Sequence, residues 1–286
     1  VVPSGFYTDK WAAAVRALYL DKTALQTFFA FENRWPTVFS AVHSMYKFVP
    51  VTAIKGRPTG EFAAAFMCHD PEKLPIIEAN SLTLDRQTIE RFSPHTLSFF
   101  EFDSQAQFDA ASRVAMAGPL IGDETDRWNP EPMIEFKFNA HQNVLPFRQD
   151  GVGLPLIEGK MIWQYDLYYA SWSEQQGEYS LNDTAQLSVL RPKYTVAEDA
   201  VVRSFSTRTN FAGGHEKDFK CFRVGLRDVA ASGNERAAVA TLIPPDVLCV
   251  ETVKIIRPLP ATVLAFLLGV WNSFVFDFYA RLKVTL

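Results

Sequence analysis

The chain has 286 residues, of which 48% are hydrophobic and 14% aromatic, and its formal net charge at pH 7 is −4. This composition excludes an intrinsically disordered protein and provides enough apolar surface for one large or two medium domains. The net charge argues against a uniformly basic nucleic-acid-binding protein. The three cysteines, Cys68, Cys221 and Cys249, lack the spacing of a metal or redox motif, which is typical of reduced thiols in a cytoplasmic protein.

The first seventy residues alternate between strand-like and helix-like patterns. VVPSGF predicts a strand and a turn, and Thr8 or Asp9 can cap a helix that runs through KWAAAVRALYLDKTALQTFF. The apolar runs YKFVPVTAI and EFAAAFMCH predict further strands. Because the pattern stops before a closing set of strands, it indicates one part of an α/β sheet rather than a complete sheet.

A change of character follows this first part. Residues 71–118 are polar and contain several prolines, with one helix over 103–118 that Asp103 or Ser104 can cap, and they are interpreted as a connector. From residue 119 to 286, short β-type runs are broken by Gly, Asn and Pro, and they predict a separate α+β domain. The apolar segment 258–284 contains Pro260, Asn272 and Asp277, which favours a buried helix over a membrane span, and no membrane partner is expected.

Polar residues gather between two apolar strand patterns in VGLRDVAASGNERAAVATLIPP, residues 224–245. Arginine presents a bidentate donor fork to phosphate or guanine, and asparagine can do the same for adenine. Residues 191–236 also carry nine Lys and Arg against six Asp and Glu, which indicates a locally basic surface. An Arg and Glu pair that ties a hairpin together explains the same residues, so both interpretations stand at this point.

A metal-dependent nuclease is a further alternative. Asp150, Glu158 and Lys160 resemble the D…E-x-K arrangement that holds a divalent cation, and Glu135 with Lys137 repeats the second half of it. Alternating Glu and Lys on a strand more commonly mark its solvated face. The five histidines show no ligand spacing, and we predict neither a catalytic residue nor a metal site in this chain.

Several motifs in one order carry a resemblance to a known family. VVPSGFYTDK, FENRWPTVFSAVHSMYKFVPVTAI, FAAAFMCHDPEKL and SLTLDRQTIERFSPHT come first, followed by LPLIEGKMIWQYD, FRVGLRDVAASGNERAAVATLIPP and LLGVWNSFVFDFYARLKV. Together they resemble the C-terminal part of bacterial adenine-specific DNA methyltransferases of the restriction-modification or phage-defence type (type IIG-like). The resemblance spans essentially the whole chain.

This resemblance implies a division of labour along the chain. Residues 1–70 would be the end of the Rossmann-like catalytic sheet, residues 71–118 the connector, and residues 119–286 the α+β domain that recognises the DNA target. The family's S-adenosylmethionine motif and its NPPY tetrapeptide have no counterpart here, and NPEP at 129–132 is not that tetrapeptide. The resemblance therefore implies that Val1 is internal to a longer enzyme, that the cofactor site lies mostly outside this chain, and that the chain alone does not methylate DNA.

The resemblance also implies site residues and partners. The partners would be double-stranded DNA, the N-terminal catalytic part of the same enzyme and other defence-system subunits. The alternative is a docking or specificity module of a defence complex, in which contact with DNA is minor. The predicted DNA-binding residues are Lys160, Trp163, Arg223, Arg227, Asn234, Arg236 and Lys283, and the candidates for contact with a flipped base are Phe39, Lys47 and Phe48.

Overall fold

The computed structural model describes residues 1–34, 38–120, 130, 132–141, 147, 149, 151–182, 190–230 and 233–283. Contacts divide the chain into two compact units, Val1–Leu120 (unit 1) and Ile121–Val284 (unit 2). Both units combine helices with β-sheets, so the chain is mixed α/β. The sequence predicts this mixture of helices and strands.

Unit 1 contains one sheet with helices around it. The elements in chain order are β1 (Val2–Pro3), α1 (Gly5–Thr8), α2 (Ala13–Lys22), β2 (Thr23–Glu32), β3 (Lys47–Val49), β4 (Val51–Lys55), β5 (Glu61–Cys68), α3 (Leu74–Ala79), β6 (Leu82–Asp85), α4 (Arg86–Phe92) and α5 (Gln105–Met116). The strands of the sheet follow the order β1-β3-β2-β5-β6, and β4 also pairs with β2. The β2–β5 pair is parallel, whereas the other pairs are antiparallel.

The helix expected from residue 10 to about 29 is shorter than predicted. It ends at Lys22, and the residues that follow form β2, the central strand of the sheet. Phe28, Phe29 and Phe31 are each at most 4% exposed, because a strand between β4 and β5 sends neighbouring side chains to both covered faces of the sheet. Phe28 packs edge to face against Tyr7, with ring centroids 5.4 Å apart.

Residues 71–118 belong to unit 1 rather than forming a separate connector. β6 extends the sheet by pairing with β5, and α4 packs on α5 with the ring centroids of Phe92 and Phe108 6.1 Å apart. The predicted cap of α5 is present, since Ser104 accepts a hydrogen bond from the N–H of Gln107 at 3.2 Å. The structure differs from the predicted connector because the helices and the strand of this segment bury apolar side chains. The polar average composition of the segment does not reveal these side chains.

The outer face of α2 stays uncovered by the described residues of unit 1. Trp11, just before the helix, is 86% exposed, and Val15 and Leu18 are 46% and 57% exposed. These positions follow the i, i+4, i+7 spacing of one helix face, while Arg16 and Leu20 point into the core. Unit 1 therefore presents an apolar stripe.

The described residues of unit 2 form two sheets and a hairpin. The elements in chain order are β7 (Pro132–Met133), α6 (Phe138–His141), β8 (Leu154–Ile157), β9 (Ala170–Ser173), β10 (Glu178–Leu181), β11 (Tyr194–Val196), α7 (Glu198–Ser206), β12 (Arg223–Arg227), β13 (Ala240–Ile243), β14 (Leu248–Cys249), β15 (Val253–Ile256), α8 (Ala261–Trp271) and α9 (Phe274–Arg281). One sheet is antiparallel and has the order β13-β12-β15-β7. The second sheet has the order β11-β8-β14, and β9 pairs with β10 to form the hairpin.

The late helix predicted over 260–283 is broken into α8 and α9, whose axes differ by 61°. Leu264, Leu267 and Trp271 of α8 pack against β12 and β13 in a small apolar core. Ser273 starts α9 by accepting a hydrogen bond from the N–H of Phe276 at 3.1 Å. Among the described residues, no single helix is long and apolar enough to cross a membrane, and only α8 and α9 taken together reach the required length and composition.

Candidate nucleic-acid interface

Arg223 lies in the core of unit 2 and is not accessible to DNA. Its side chain is 0% exposed, and its guanidinium forms an ion pair with the carboxylate of Glu135, whose side chain is 2% exposed. Arg223 also donates to the carbonyl of Val247, and Glu135 accepts a hydrogen bond from the N–H of Cys249 at 2.8 Å. The structure thus corrects the predicted DNA contact at Arg223. It also removes Glu135 from the nuclease-like motif, because a buried carboxylate already paired with arginine is not available to a cation.

The other nuclease-like motif is only partly described. Asp150 lies outside the described residues, and the carboxylate of Glu158 accepts a hydrogen bond from the Tyr179 hydroxyl. Burial, together with Glu158, raises the pKa of Tyr179, so this hydroxyl keeps its proton and remains a donor. Across the described ranges, no group of three or more His, Cys, Asp or Glu side chains is arranged to hold a metal ion.

Two buried side chains at the α8–α9 junction hold residues 233–240, which end at the first residue of β13. We call residues 233–240 the anchored segment. The Asn272 amide accepts a hydrogen bond from the N–H of Ala240 at 3.0 Å and donates to its carbonyl at 2.9 Å. The Asp277 carboxylate accepts hydrogen bonds from the N–H groups of Ala237 and Ala238 at 2.8 and 2.9 Å. Asn272 and Asp277 are 4% and 5% exposed, so water does not compete for these hydrogen bonds. The bonds therefore fix the backbone of the anchored segment.

Asn234 and Arg236 lie at the outer end of the anchored segment. Asn234 is exposed, and the guanidinium carbon of Arg236 lies 4.0 Å from the ring centroid of Phe274, a cation–π contact. The nearest carboxylate oxygen, on Asp277, is 3.9 Å from Nη1 of Arg236 and already accepts from Nε of Arg281 at 2.9 Å. Nη1 of Arg236 is buried without a hydrogen-bond acceptor among the described residues, and the whole side chain is 12% exposed. The Phe274 ring and the shared Asp277 carboxylate therefore enclose most of this arginine.

A second arginine is held in the same way. The rings of Trp163 and Tyr169 stack with centroids 5.1 Å apart, and the guanidinium carbon of Arg227 lies 5.1 Å from the Trp163 ring. Burial lowers the pKa of Arg227, but an arginine stays charged at neutral pH. Among the described residues, no carboxylate lies within ion-pair distance of it. The structure therefore brings together two predicted DNA-binding residues, Trp163 and Arg227.

Backbone contacts join the turn after Trp163 to the anchored segment. The N–H of Tyr165 donates to the carbonyl of Ala240 at 3.0 Å, and Gln164 donates to the carbonyl of Asn272 at 3.2 Å. We group the arginines, the exposed amide and the aromatic rings of these neighbouring segments under the name Arg–aromatic surface, and its members are Trp163, Tyr165, Arg227, Asn234, Arg236 and Phe274.

Lys160 lies next to this surface, and its backbone is fixed by a close approach at Gly159. The N–H of Gly159 donates to Oγ1 of Thr252 at 2.8 Å. A Cβ atom at residue 159 would lie 2.9 Å from the Thr252 carbonyl oxygen and 3.4 Å from Cγ of Arg227, so a larger residue would have to displace the backbone. Lys160 itself is exposed. Lys283 is also exposed, but it follows α9 and so lies at the opposite end of that helix from Phe274.

The three candidates for contact with a flipped base lie in unit 1. Phe39 is 41% exposed and packs edge to face on Phe48, with ring centroids 5.0 Å apart. Lys47 is paired with Glu101, at 2.7 Å between Nζ and Oε2, and Glu101 also accepts from the Tyr7 hydroxyl at 2.5 Å. Burial, together with Glu101, raises the pKa of Tyr7 and keeps that hydroxyl protonated. The two phenylalanines are therefore brought together, whereas Lys47 is already neutralised.

Sequence reasoning missed Phe274 and Tyr165 and left open the role of Asn272 and Asp277. From sequence, the last two indicate only that the segment is a buried helix rather than a membrane span. A sequence signal was present, because an amide and a carboxylate within a strongly apolar segment are costly to bury unless each finds hydrogen-bond partners. Those partners are backbone groups more than thirty residues upstream, which the local pattern does not reveal.

Comparison with models of known protein families finds no match for this chain, and a search of the curated proteins finds none either. Neither comparison identifies a family. The motif order of the sequence and the geometry of the Arg–aromatic surface are the two features of the chain that bear on its function.

Proposed function

We propose that unit 2 is the DNA target-recognition domain of an S-adenosylmethionine-dependent adenine-N6 methyltransferase from a restriction-modification or phage-defence system. Unit 1 would be the end of its Rossmann-like catalytic domain. The order of the sequence motifs supports the family. Contact with DNA is supported chiefly by one observation: Arg227 and Arg236 are each held on an aromatic ring, in segments that backbone hydrogen bonds bring together, and the exposed Asn234 lies two residues before Arg236.

The chemistry of these groups suits duplex DNA. An arginine guanidinium can donate to a phosphate oxygen or to the acceptors of guanine, and an asparagine amide matches the adenine edge. Nη2 of Arg227 already donates to the carbonyl of Ile162, so its other N–H groups would make such a contact. The bonds from Asn272 and Asp277 fix the anchored segment before DNA binds. A fixed segment loses less conformational entropy on binding, which favours affinity and sequence discrimination.

The residues present do not fit a complete S-adenosylmethionine site. In unit 1 the carboxyl end of the parallel β2–β5 pair carries Glu32, which lies 2.6 Å from Nε of Arg34 and 3.3 Å from Nδ1 of His69. Glu32 therefore lies within ion-pair distance of two basic side chains, Arg34 and His69. Since the family's cofactor motif is also missing from the sequence, we derive no chemical step through the cofactor and propose binding, not methylation, for this chain.

Titration of a fluorescently labelled random-sequence duplex with the chain, followed by anisotropy at several salt concentrations, tests the proposal. We expect the affinity to fall steeply between about 50 and 200 mM salt, because cationic side chains displace counterions from phosphates. Arg236→Ala should weaken binding by about 5- to 100-fold. Arg203→Ala is the matched control, since Arg203 lies on α7 with a 71% exposed side chain paired with Asp199.

Two results would count against this proposal. One is affinity that Arg236→Ala and Arg203→Ala reduce equally, which would indicate non-specific attraction of a polyanion. The other is the absence of duplex binding at low salt, which would favour the docking-module alternative. Thermal melting of each variant separates lost contact from lost folding.

A further inference from the structure

A pocket of about 360 Å³ lies in unit 2, and none of the members of the Arg–aromatic surface lines it. Its volume is within the range of small-molecule sites. The walls come from the start of α6, the residues after β8, the β9–β10 hairpin, the start of β11 and the turn before β15. We call it the hairpin pocket, because the β9–β10 hairpin forms one of its walls.

Four aromatic rings line the hairpin pocket, those of Phe138, Trp172, Tyr179 and Tyr194. The ring centroids of Phe138 and Tyr194 are 4.9 Å apart, and those of Trp172 and Tyr179 are 5.3 Å apart. Trp172 and Tyr179 are paired directly across β9 and β10, so their side chains share one face of the hairpin. Rings of this kind stack on flat ligands such as nucleobases.

One carboxylate at the pocket has an oxygen to spare. Oε1 of Glu158 accepts a hydrogen bond from the Tyr179 hydroxyl, and Oε2 has no hydrogen-bond partner among the described residues. The other two carboxylates differ, since Oε2 of Glu251 accepts from the N–H of Phe138 at 2.7 Å and Glu178 is exposed. Tyr179 therefore holds Glu158 in place, and the free oxygen can accept from a donor on a ligand.

The pocket also holds a cation that no carboxylate neutralises. Nζ of Lys193 lies 4.3 Å from the ring centroid of Trp172 and 5.1 Å from that of Tyr194. In the part of the chain that the structure describes, no carboxylate lies within ion-pair distance of Lys193. The two rings hold the ammonium group without cancelling its charge. Lys160 lines the same pocket and is exposed. An anionic group on a ligand would find a partner here.

We propose that the hairpin pocket binds a nucleotide whose base carries an exocyclic amino group. The base stacks on the aromatic rings, the amino group donates to Glu158, and the phosphate accepts from Lys193. A base with a carbonyl oxygen in place of the amino group sets two acceptors against each other and is rejected. The proposal goes beyond recognition of duplex DNA and does not depend on it, because it uses no residue of the Arg–aromatic surface.

Isothermal titration calorimetry with deoxycytidine monophosphate (dCMP) and deoxyuridine monophosphate (dUMP) tests the base contact. The two ligands differ only in an amino group or a carbonyl oxygen at one ring position. We expect dCMP to bind about 5- to 100-fold more tightly than dUMP. Glu158→Gln should remove most of this preference, because an amide can also donate to the carbonyl of uracil. Glu174→Gln is the matched control and should keep the preference, since Glu174 is exposed at the turn of the same hairpin and does not line the pocket.

Lys193→Met tests the phosphate contact. We expect it to weaken dCMP by about tenfold and to leave deoxycytidine, which lacks the phosphate, nearly unchanged. Lys217→Met is the control, since Lys217 is exposed and lies outside the pocket, and it should change neither affinity. Thermal melting of each variant separates a lost contact from lost folding.

The nucleotide can be free or part of a strand, and competition against bound dCMP distinguishes these sources. Displacement by a short single-stranded deoxycytidine oligonucleotide at a lower concentration than dCMP itself would support a nucleotide within a strand, whereas failure to displace would support a free nucleotide. Equal binding of dCMP and dUMP, a preference that survives Glu158→Gln, or no binding of either at millimolar concentration would overturn the proposal. None of these results bears on binding of duplex DNA, which is measured separately.

Discussion

Arg223 and Glu135 form a buried ion pair that ties β12 to the chain before α6. Removing two charges from water is costly, and their attraction compensates only where the remaining donors and acceptors are also satisfied. Here the carbonyls of Val247 and Pro244 accept from Arg223, and the N–H of Cys249 donates to Glu135. The pair is therefore part of the architecture of unit 2.

Arg223→Met leaves the Glu135 carboxylate buried without its partner. We expect the free energy of unfolding to fall by about 3–5 kcal/mol, measured by urea denaturation followed by circular dichroism. Adding Glu135→Leu should restore part of the loss, since the uncompensated charge is gone, but not all of it, because the carbonyls of Val247 and Pro244 have lost their donor. If Arg223→Met is as stable as the parent chain, the ion pair does not stabilise the fold.

The sequence could not distinguish Arg223 from Arg227. Both lie on β12 four residues apart, so they extend to the same side of the strand, and composition treats them alike. The difference comes from Glu135, which lies 88 residues upstream and reaches only the first of the two. A contact that distant is fixed by topology, so local pattern cannot predict which arginine is buried.

The junction of α8 and α9 acts as a clamp on the anchored segment. Asn272 satisfies both backbone groups of Ala240, which is what a neighbouring strand would otherwise do. The clamp explains why the strongly apolar late helix contains polar residues and a bend. It also couples the position of the Phe274 ring to the backbone that carries Arg236.

Asn272→Ala should loosen this clamp. It leaves the N–H and carbonyl of Ala240 without these bonds in a buried place, at a cost of about 1–3 kcal/mol in the free energy of unfolding. We also expect faster amide hydrogen exchange at residues 237–240, measured by mass spectrometry or NMR. Asn234→Ala is the control, because Asn234 is exposed in the same segment and should change neither quantity. Equal exchange in the two variants would show that the clamp does not order the segment.

Elements were predictable where the local pattern and the packing agree. The strand over 61–68 and the helix capped by Ser104 are present as expected. Residues 23–29 continue an apolar run that predicts a helix, but they belong to β2 because β4 and β5 pair with that strand on either side. The conformation of such a segment depends on pairing partners that lie downstream. A short sequence window centred on the segment does not include those partners.

The two units present surfaces of different character. Unit 2 presents arginines and aromatic rings, although the whole chain has a net charge of −4. The proposed attraction to DNA would therefore come from local charges, and salt would screen it beyond about 10 Å. Unit 1 presents the apolar stripe of Trp11, Val15 and Leu18, which contact with DNA does not explain. The domain-level division was accessible to sequence as a change of composition, whereas the Arg–aromatic surface was not, since four separate segments build it.

Amide hydrogen exchange of the chain with and without a saturating duplex tests the central claim, that DNA lies on the Arg–aromatic surface. We expect slower exchange in peptides that cover residues 160–166, 233–240 and 272–276, and unchanged exchange in α7. Protection confined to α7 or to unit 1, or no protection while the duplex is bound, would contradict the account.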